Sequence, residues 1–459
     1  MEKFRFGLIG TETEYGLQVH HLPPKQRTQG LAGAIPRRVM EINGAVQSAG
    51  INIGPTGGSS SWLYNGGRFY LDAGNFELTT PEDTSPRAVA NFEFGNRATL
   101  NHLLALLKMA YGIDCFGVAN NTDYYPNKKT GTYNTRGRHL NLSTSGSKID
   151  YSSGMLPLLS VMALLGGNGQ FVGANTIPEV TGTGKYSISQ RALAVNIQNG
   201  QLMVGENTPP IIVHKDGRKV VQYATLDTTM SPHATWLVMG LVGLAHKLID
   251  EGWQPDIPIG TKKEVVANFR ENAMRQRGWI YRAGGVEMPA VEVLNHYIGE
   301  IDRKLWWSGN KEVVEILQAA RSAVDMLSTD PLQASSFDWV AKKRILDEYD
   351  PSGVKSRELQ ILCMSYNIID PNRSISAQRR LWTYDKAMTD SQGTPPTQSR
   401  AAGRGAFVRG IKDVLPHLAN HPTIGWTTLS FRDEAVVLQD PFRPYTDEVE
   451  TMLKRLGYN

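Results

Sequence analysis

The stretch NGGRFYLDAGNFE, residues 65–77, decides the fold. Its alternation of polar and apolar residues predicts a β-strand, because successive side chains of a strand point to opposite faces. Arg68, Tyr70 and Asp72 then share one face, and the apolar residues between them point towards a core. A cation, a phenol and a carboxylate in one row are costly to bury unless a ligand or counter-ion satisfies them. This strand is therefore a candidate ligand-binding surface.

An acidic strand precedes it in the chain. The alternation over Phe4–Tyr15 places Glu12 and Glu14 on one strand face. Were this strand a neighbour of the one predicted over Trp62–Leu71, three or four carboxylates would converge. Clusters of oxygen ligands hold Mg²⁺ in proteins, usually together with substrate phosphates. The alternative is that these are solvated strand charges paired at the surface, and spacing alone does not separate the two interpretations.

Composition excludes several other classes of protein. The chain has 459 residues and a net charge of +4 spread along its length, which does not indicate a nucleic-acid partner. Only two cysteines occur, Cys115 and Cys363, without a CxxC pair, so neither a zinc site nor a disulfide scaffold is expected. The longest apolar stretch, residues 234–245, is far shorter than the roughly 20 residues of a membrane span. We expect a cytoplasmic protein with no membrane partner.

Helices and strands interleave irregularly along the rest of the chain. A long helix is predicted over Arg87–Tyr111, and a strand pair is predicted around Trp426–Leu438. No GxGxxG follows a strand, so a dinucleotide-binding sheet is not expected, and an α+β fold is predicted. A stretch rich in Thr, Pro and Ser at Thr389–Gln398 is typical of a hinge. It divides the chain into predicted domains 1–390 and 391–459.

Ten short motifs, taken together, resemble the Pup ligase/Pup deamidase family, relatives of glutamine synthetase and glutamate–cysteine ligase. They follow the order of the family over nearly the whole chain. The motifs are GTETEYG (10–16), NGGRFYLDAGNFE (65–77), TTPE (79–82), NNTD (120–123), His139 with Asn141, SQRA (189–192), a DWV segment (338–346) with Lys343, PPTQSRAAGRG (395–405), Trp426 and QDPFRPY (439–445).

The resemblance implies a fold and a set of site residues. The fold would be a glutamine synthetase-like curved antiparallel sheet packed on helices, with a small C-terminal α+β domain closing over the nucleotide. The cofactors would be ATP and Mg²⁺. The implied roles are Mg²⁺ binding for Glu12, Tyr70 and Glu77, ATP contact for Arg68, Thr80 and Trp426, and the catalytic base for Asp72.

The function implied by the resemblance is ATP-dependent ligation. The side-chain carboxylate of the C-terminal Glu of a Pup-like protein modifier would be phosphorylated and then attacked by a lysine of a target protein. A Pup deamidase or depupylase that uses the nucleotide as cofactor is the alternative, and a non-catalytic module that binds a Pup-like protein is a third. The short stretch Ala49–Trp62 and the QDPFRPY ending favour the ligase. GTETEYG and the step from Asp72 to Glu77 are closer to the deamidase.

The departures from the family pattern include two segments. The segment around His139 and Asn141 lacks one family carboxylate, and His214–Lys219 lacks the charge pattern of the family. Several of the lost groups belong to the region of the transferred phosphate and the acceptor. The chain is therefore expected to be a divergent member.

Overall fold

The computed structural model describes most of the chain. The described residues are 4–21, 50–51, 60–72, 75–119, 136–145, 149–173, 184–205, 208–214, 219–411 and 422–458. The NNTD motif and most of the stretches 49–62 and 214–219, which bore on the sequence predictions, lie outside these ranges.

Strands and helices are mixed along the described chain, which confirms the predicted α+β fold. The strands are β1 (Ile9–His21), β2 (Gly50–Ile51), β3 (Ser60–Leu63), β4 (Arg68–Asp72), β5 (Asn75–Thr79), β6 (Asp114–Val118), β7 (Arg138–Ser143), β8 (Gln170–Val172), β9 (Lys185–Ser187), β10 (Val195–Gln198), β11 (Gln201–Val204), β12 (Ile211–Val213), β13 (Val220–Leu226), β14 (Ile280–Ala283), β15 (Val286–Pro289), β16 (Thr423–Ile424), β17 (Thr428–Phe431) and β18 (Glu434–Val437).

The α-helices account for most of the remaining described residues. They are α1 (Pro86–Tyr111), α2 (Tyr151–Val161), α3 (Ala163–Gly166), α4 (Pro232–Asp250), α5 (Lys262–Ala273), α6 (Ala290–Leu305), α7 (Lys311–Thr329), α8 (Asp338–Tyr349), α9 (Ser356–Tyr366), α10 (Ile375–Gln378), α11 (Lys386–Asp390), α12 (Ala401–Ile411) and α13 (Thr446–Arg455). Among them, α1 confirms the helix predicted over Arg87–Tyr111, and β17 with β18 confirms the strand pair predicted near Trp426.

The chain packs into two compact units. The first contains residues 1–9, 85–87 and 119–383, and the second contains residues 10–84, 88–118 and 384–459. This grouping follows packing alone and does not coincide with the domains predicted from the sequence. The division into 1–390 and 391–459 stays a prediction.

In the first unit, β7, β12 and β13 form an antiparallel sheet in the order β12–β13–β7. The central helix is α4, which packs against α2 and α7. Ser231 caps the first turn of α4 by accepting a hydrogen bond from the backbone N–H of Ala234, and Pro232 occupies the position where a missing N–H costs nothing. Although α4 is apolar and buried along most of its length, no helix in the described part of the chain has the length and hydropathy to cross a membrane.

In the second unit, six antiparallel strands lie in the order β6–β1–β5–β4–β3–β2. The sequence-based prediction of a single strand over Trp62–Leu71 is wrong, because β3 ends at Leu63 and β4 begins at Arg68. The turn between them depends on Gly66, whose φ is +85° and whose Cβ, if it had one, would lie 2.3 Å from the carbonyl oxygen of Ala401. Only glycine fits this turn without strain.

The C-terminal segment of the second unit builds its core around a residue of β3. Trp62 is buried and donates a hydrogen bond from its indole N–H to the carbonyl oxygen of Ile424, 3.0 Å away. Apolar residues of α12, α13 and the β16–β17–β18 sheet surround it, among them Phe407, Leu429 and Val449. Strand β3, which precedes β4 in the chain, and the C-terminal segment therefore share one hydrophobic core.

Candidate active site

Five of the predicted site residues lie on one face of three adjacent strands: Glu12, Arg68, Tyr70, Asp72 and Glu77. Cross-strand pairing places Glu14 of β1 opposite Glu77 of β5, and Glu77 opposite Tyr70 of β4. One pair further along, Glu12 and Arg68 flank Thr79 in the same manner. The two strands first considered as neighbours, β1 and β4, are not adjacent. Strand β5 lies between them and adds Glu77. The polar side chains that line up across these strands, referred to as the row, are Glu12, Glu14, Arg68, Tyr70 and Glu77.

The centre of the row is crowded with negative charge. Glu77 is only 3% exposed, and its burial, together with the charges of Glu12 and Glu14, raises the pKa of its carboxyl from 4.5 to about 9. A hydrogen bond from Tyr70 works in the opposite direction but does not offset these effects. Burial and the charges of Glu12 and Glu77 also raise the pKa of the Tyr70 phenol. Such a cluster is disfavoured unless a cation joins it.

The donor set fits Mg²⁺. Carboxylate oxygens are hard ligands, and magnesium prefers one or two of them together with waters and substrate phosphates. Glu12 and Glu77 supply carboxylates, and the phenol oxygen of Tyr70 lies within hydrogen-bonding distance of the Glu77 carboxylate. These are the three residues predicted to hold the metal, and the strand register brings them together. Their role as ligands stays a prediction.

Asp72, the predicted base, lies at the end of β4. It faces the same side as Tyr70, is exposed, and pairs with Asn75 at the start of β5. Its negative charge contributes to the raised pKa of Glu77, which is a sign of its proximity to the row. An accessible carboxylate beside a buried cluster can accept a proton from a bound ligand, and the role of Asp72 as the base stays a prediction.

Arg68 and Trp426 belong to a stack of cations and aromatic rings. The Arg68 guanidinium lies 4.8 Å from the ring centroid of Tyr70 and 5.8 Å from that of Trp62. The Arg404 guanidinium lies 5.4 Å from Trp62 and 4.9 Å from Trp426, and the two indoles meet edge to face at 4.9 Å. Trp426 is half-buried, so part of it remains accessible beside this stack.

Thr80 has a structural task in addition to its predicted ATP contact. It is 3% exposed, and its hydroxyl accepts a hydrogen bond from the backbone N–H of Thr11 at 2.9 Å. The backbone N–H of Thr80 in turn donates to the carbonyl oxygen of Thr11. Thr80 thus ties the end of β5 to the start of the acidic strand, and the contact with ATP stays a prediction.

An ion-pair cluster next to the row escaped the sequence predictions. Glu82 accepts hydrogen bonds from Arg400 (2.7 Å) and from Arg404 (3.0 Å for the Nη1–Oε1 pair). Burial on its own would raise the pKa of Glu82, but the charges and hydrogen bonds of Arg404 and Arg400 outweigh it and hold the pKa at about 2. Both arginines and Glu82 lie inside motifs of the resemblance, yet nothing local in the sequence indicates that these motifs meet.

Two other family-like segments lie in the first unit. His139 and Asn141 share a face of β7, and the Nε2 atom of His139 lies 3.3 Å from Nη2 of Arg191 in the SQRA motif. In the DWV segment, Lys343 pairs with Asp347 at the surface of the helix. The buried lysine of that segment is instead Lys342, which donates to Asn168, Gly169 and Asn367.

Comparison with known proteins supports the resemblance. The family model described as Pup-ligase protein matches residues 7–430. A Pup–protein ligase of Kineococcus radiotolerans is 26% identical over 427 residues, covering 86% of this chain and 90% of the relative. A Pup–protein ligase of Micrococcus luteus is 27% identical over 479 residues, covering 98% of each chain.

Solved structures show the same fold. A crystal structure of the complex between the prokaryotic ubiquitin-like protein Pup and its ligase PafA superposes with a TM-score of 0.78 at 20% identity, covering 98% of this chain and 91% of that one. A structure of the Pup ligase PafA in complex with ADP gives a TM-score of 0.73 at 20% identity, with coverage of 97% and 96%. Because the family model spans nearly the whole sequence, the chain belongs to the Pup-ligase protein family.

Proposed function

We propose that the protein is an ATP-dependent ligase that joins the side-chain carboxylate of the C-terminal Glu of a Pup-like protein to a lysine of a target protein. The observation that carries the proposal is the row of Glu12, Glu77 and Tyr70 beside Arg68 and Asp72, on the scaffold of the Pup-ligase protein family. The curated relatives described above are Pup–protein ligases, and they match over most of their length.

The nucleotide would lie between the stack and the row. One of the two PafA structures with this fold contains bound ADP, and the other is a complex with Pup. In this chain, Trp426 offers an accessible indole, and Arg68 supplies a positive charge for a phosphate. Glu12, Tyr70 and Glu77 would hold Mg²⁺, which, when bound, offsets the negative charge of the transferring phosphoryl group.

The first half of the reaction is a phosphoryl transfer. An oxygen of the modifier's γ-carboxylate attacks the γ-phosphorus of ATP, the bond from that phosphorus to the β,γ-bridging oxygen breaks, and ADP leaves. The product is an acyl phosphate. The protein contributes mainly position and electrostatics to such a step, since the chemistry needs no covalent bond to the enzyme. Arg68 holds the phosphoryl oxygens, and Glu12, Tyr70 and Glu77, as the residues that would hold Mg²⁺, would set where the nucleotide's phosphate end lies.

The second half forms the isopeptide bond. A lysine ammonium is not a nucleophile, so a proton must be removed before the nitrogen attacks the carbonyl carbon of the acyl phosphate. Asp72 is exposed at the end of β4 and faces the row, which suits it to accept that proton from a bulky protein substrate. Inorganic phosphate then leaves with the carboxylate oxygen that attacked ATP.

A conjugation assay tests the proposal. The purified protein is mixed with Mg·ATP, a lysine-bearing target and Pup peptides that end in Glu or in Gln, and ADP, ammonia and conjugate are followed together. The proposal predicts that conjugate forms only with the peptide that ends in Glu, and that one ADP is released for each conjugate. Ammonia from the Gln peptide without net loss of ATP would assign the protein to the deamidase alternative. Binding of the peptide without formation of ADP, ammonia or conjugate would favour a non-catalytic binding module.

A further inference from the structure

Arg404 contacts three segments of the second unit, two of which lie 338 and 322 positions away in the sequence. Its Nε donates to the carbonyl oxygen of Gly66 at 3.1 Å, in the turn immediately before β4. Its Nη1 and Nη2 donate to the two carboxylate oxygens of Glu82, just after β5. A further hydrogen bond from Nη1 reaches the carbonyl oxygen of Trp426 at 3.3 Å. The side chain is fully buried.

The same guanidinium also lies against two indole rings. It is 4.9 Å from the ring centroid of Trp426 and 5.4 Å from that of Trp62. Cation–π contacts with tryptophan are strongest where the cation is removed from water, as it is here. Arg404 therefore holds both the backbone and the ring of Trp426, and it holds them relative to the turn from which Arg68 and Tyr70 follow.

Only arginine makes this set of contacts. A planar guanidinium carries five N–H donors in a fixed fork and stacks on aromatic faces, whereas a lysine ammonium is a compact point charge with three donors. Glu82 completes the arrangement, because a buried guanidinium without its carboxylate would be strongly disfavoured. Arg404 itself is enclosed, so it acts on a ligand through Trp426 and not by direct contact.

We propose that Arg404 is a positioning residue for the nucleotide: clamped by Glu82 and Gly66, it fixes the orientation of the Trp426 indole that would lie against the nucleotide. This inference rests on the proposed function only for the nucleotide, and needs neither the modifier nor the ligation step. It explains why a buried charge is retained in a core that would otherwise be built of aromatic and aliphatic side chains.

The inference predicts how substitutions at Arg404 and Trp426 combine in a double mutant. If Arg404 acts through Trp426, a change at Arg404 matters only while the indole is present, so the two effects on nucleotide affinity are not additive. We therefore compare the wild type, Arg404→Lys, Trp426→Ala and the double variant, and measure the dissociation constant of Mg·ADP by calorimetry. ADP needs no substrate protein and no turnover.

The expected result is an increase of about tenfold in the dissociation constant for Arg404→Lys. In the Trp426→Ala background the same change should add less than about twofold. Arg409→Lys is the matched control: this arginine lies on the same helix and donates to the carbonyl oxygen of Tyr64 at 2.8 Å, and its change should leave the affinity within about twofold.

Folding is monitored separately by thermal unfolding. Should Arg404→Lys fail to fold, Glu82→Gln keeps the arginine but removes half of its clamp, and it should show the same dependence on Trp426. Equal losses with and without the indole, or a wild type that does not bind Mg·ADP, would overturn the inference. If the cycle behaves as expected while no conjugate ever forms, the positioning role stands and the proposed ligase function fails.

Discussion

The phenol of Tyr70 donates a hydrogen bond to the carboxylate of Glu77, its cross-strand partner in the β4–β5 pair. This contact places two of the three predicted metal ligands side by side in the middle of the sheet. Glu77 is buried and surrounded by Glu12 and Glu14, so the arrangement weakens the fold in the absence of a cation. A site of this kind exchanges stability for function.

The substitution Glu77→Gln separates the effect of Glu77 on the stability of the fold from its predicted role in binding Mg²⁺. The raised pKa means that the folded state opposes ionisation of Glu77, whereas the unfolded chain ionises freely above its usual pKa of 4.5. The wild type therefore loses stability as pH rises through and above that value, and the amide does not. At pH 7 without Mg²⁺ we expect the variant to gain about 1–3 kcal/mol in free energy of unfolding. Its affinity for Mg·ATP should fall by at least about tenfold.

The measurements are denaturant unfolding in chelator and calorimetry with Mg·ATP. Glu434→Gln is the control, since Glu434 forms an exposed ion pair with Arg455 at 3.4 Å in the same unit. That change should alter neither quantity by more than about 0.5 kcal/mol. Unchanged Mg·ATP affinity in the Glu77 variant would remove Glu77 from the metal site.

Asp72→Asn should abolish the proton acceptor without disturbing the row. The side chain is exposed at the end of β4, so its amide fits the same space. We expect turnover in the conjugation assay to fall by at least about 10²-fold while calorimetric affinity for Mg·ATP stays within about twofold. Asp114→Asn, which removes an ion pair with Lys108 at 3.1 Å, should leave turnover intact. Full activity in the Asp72 variant would end its assignment as the base.

Gly66→Ala tests the turn that positions β4. The backbone φ of +85° and the approach of the Ala401 carbonyl oxygen, 2.3 Å from an added Cβ, both oppose a side chain. We expect a loss of about 2–4 kcal/mol in free energy of unfolding, measured with urea. Gly200 has a similar φ of +74° with open space around it, so Gly200→Ala should cost only about 1 kcal/mol. Equal losses would mean that contact with α12 does not constrain the turn.

His246 makes stability depend on pH in the weakly acidic range. Its ring accepts a hydrogen bond from the Tyr223 hydroxyl at 2.7 Å and donates to the carbonyl oxygen of Ser143 at 3.0 Å, so the neutral form is fully satisfied. Burial lowers the pKa of His246 to about 4. The unfolded chain takes up a proton below pH 6.5 and the folded chain does not. Stability from this group is therefore full above pH 6.5 and declines until pH 4.

Between pH 7.5 and 5.5 this group alone should lower the free energy of unfolding by about 1.4 kcal/mol. Denaturant unfolding at the two pH values measures the decline. His246→Gln should lose this part of the pH dependence, and His102→Gln, at an exposed position of α1, should retain it. A decline of the same size in both variants would contradict the assignment to His246.

The features that follow from local spacing were predictable. The period of two along β4 correctly places Arg68, Tyr70 and Asp72 on one face, and the apolar pattern of α1 correctly predicts a helix that ends at Tyr111. Such patterns are visible in sequence because they depend on neighbouring residues only.

The features that depend on pairing between distant segments could not be predicted from the sequence pattern. Nothing in the local pattern indicates that β5 lies between β1 and β4, and its insertion is what brings Glu77 to the row. The Glu82–Arg404 ion pair joins residues 322 positions apart, and no local signal predicts it. The turn at Gly66 did have a signal, the two glycines after Asn65, but the alternation around it favoured one continuous strand.

The central claim is that the modifier's carboxylate is activated as an acyl phosphate, and oxygen transfer tests it most directly. A Pup peptide ending in Glu, with both γ-carboxylate oxygens labelled as ¹⁸O, is conjugated to a target lysine with unlabelled Mg·ATP. The inorganic phosphate is then analysed by mass spectrometry. The account predicts one ¹⁸O atom in each phosphate released and one retained in the isopeptide carbonyl. Conjugate formation with unlabelled phosphate would contradict it.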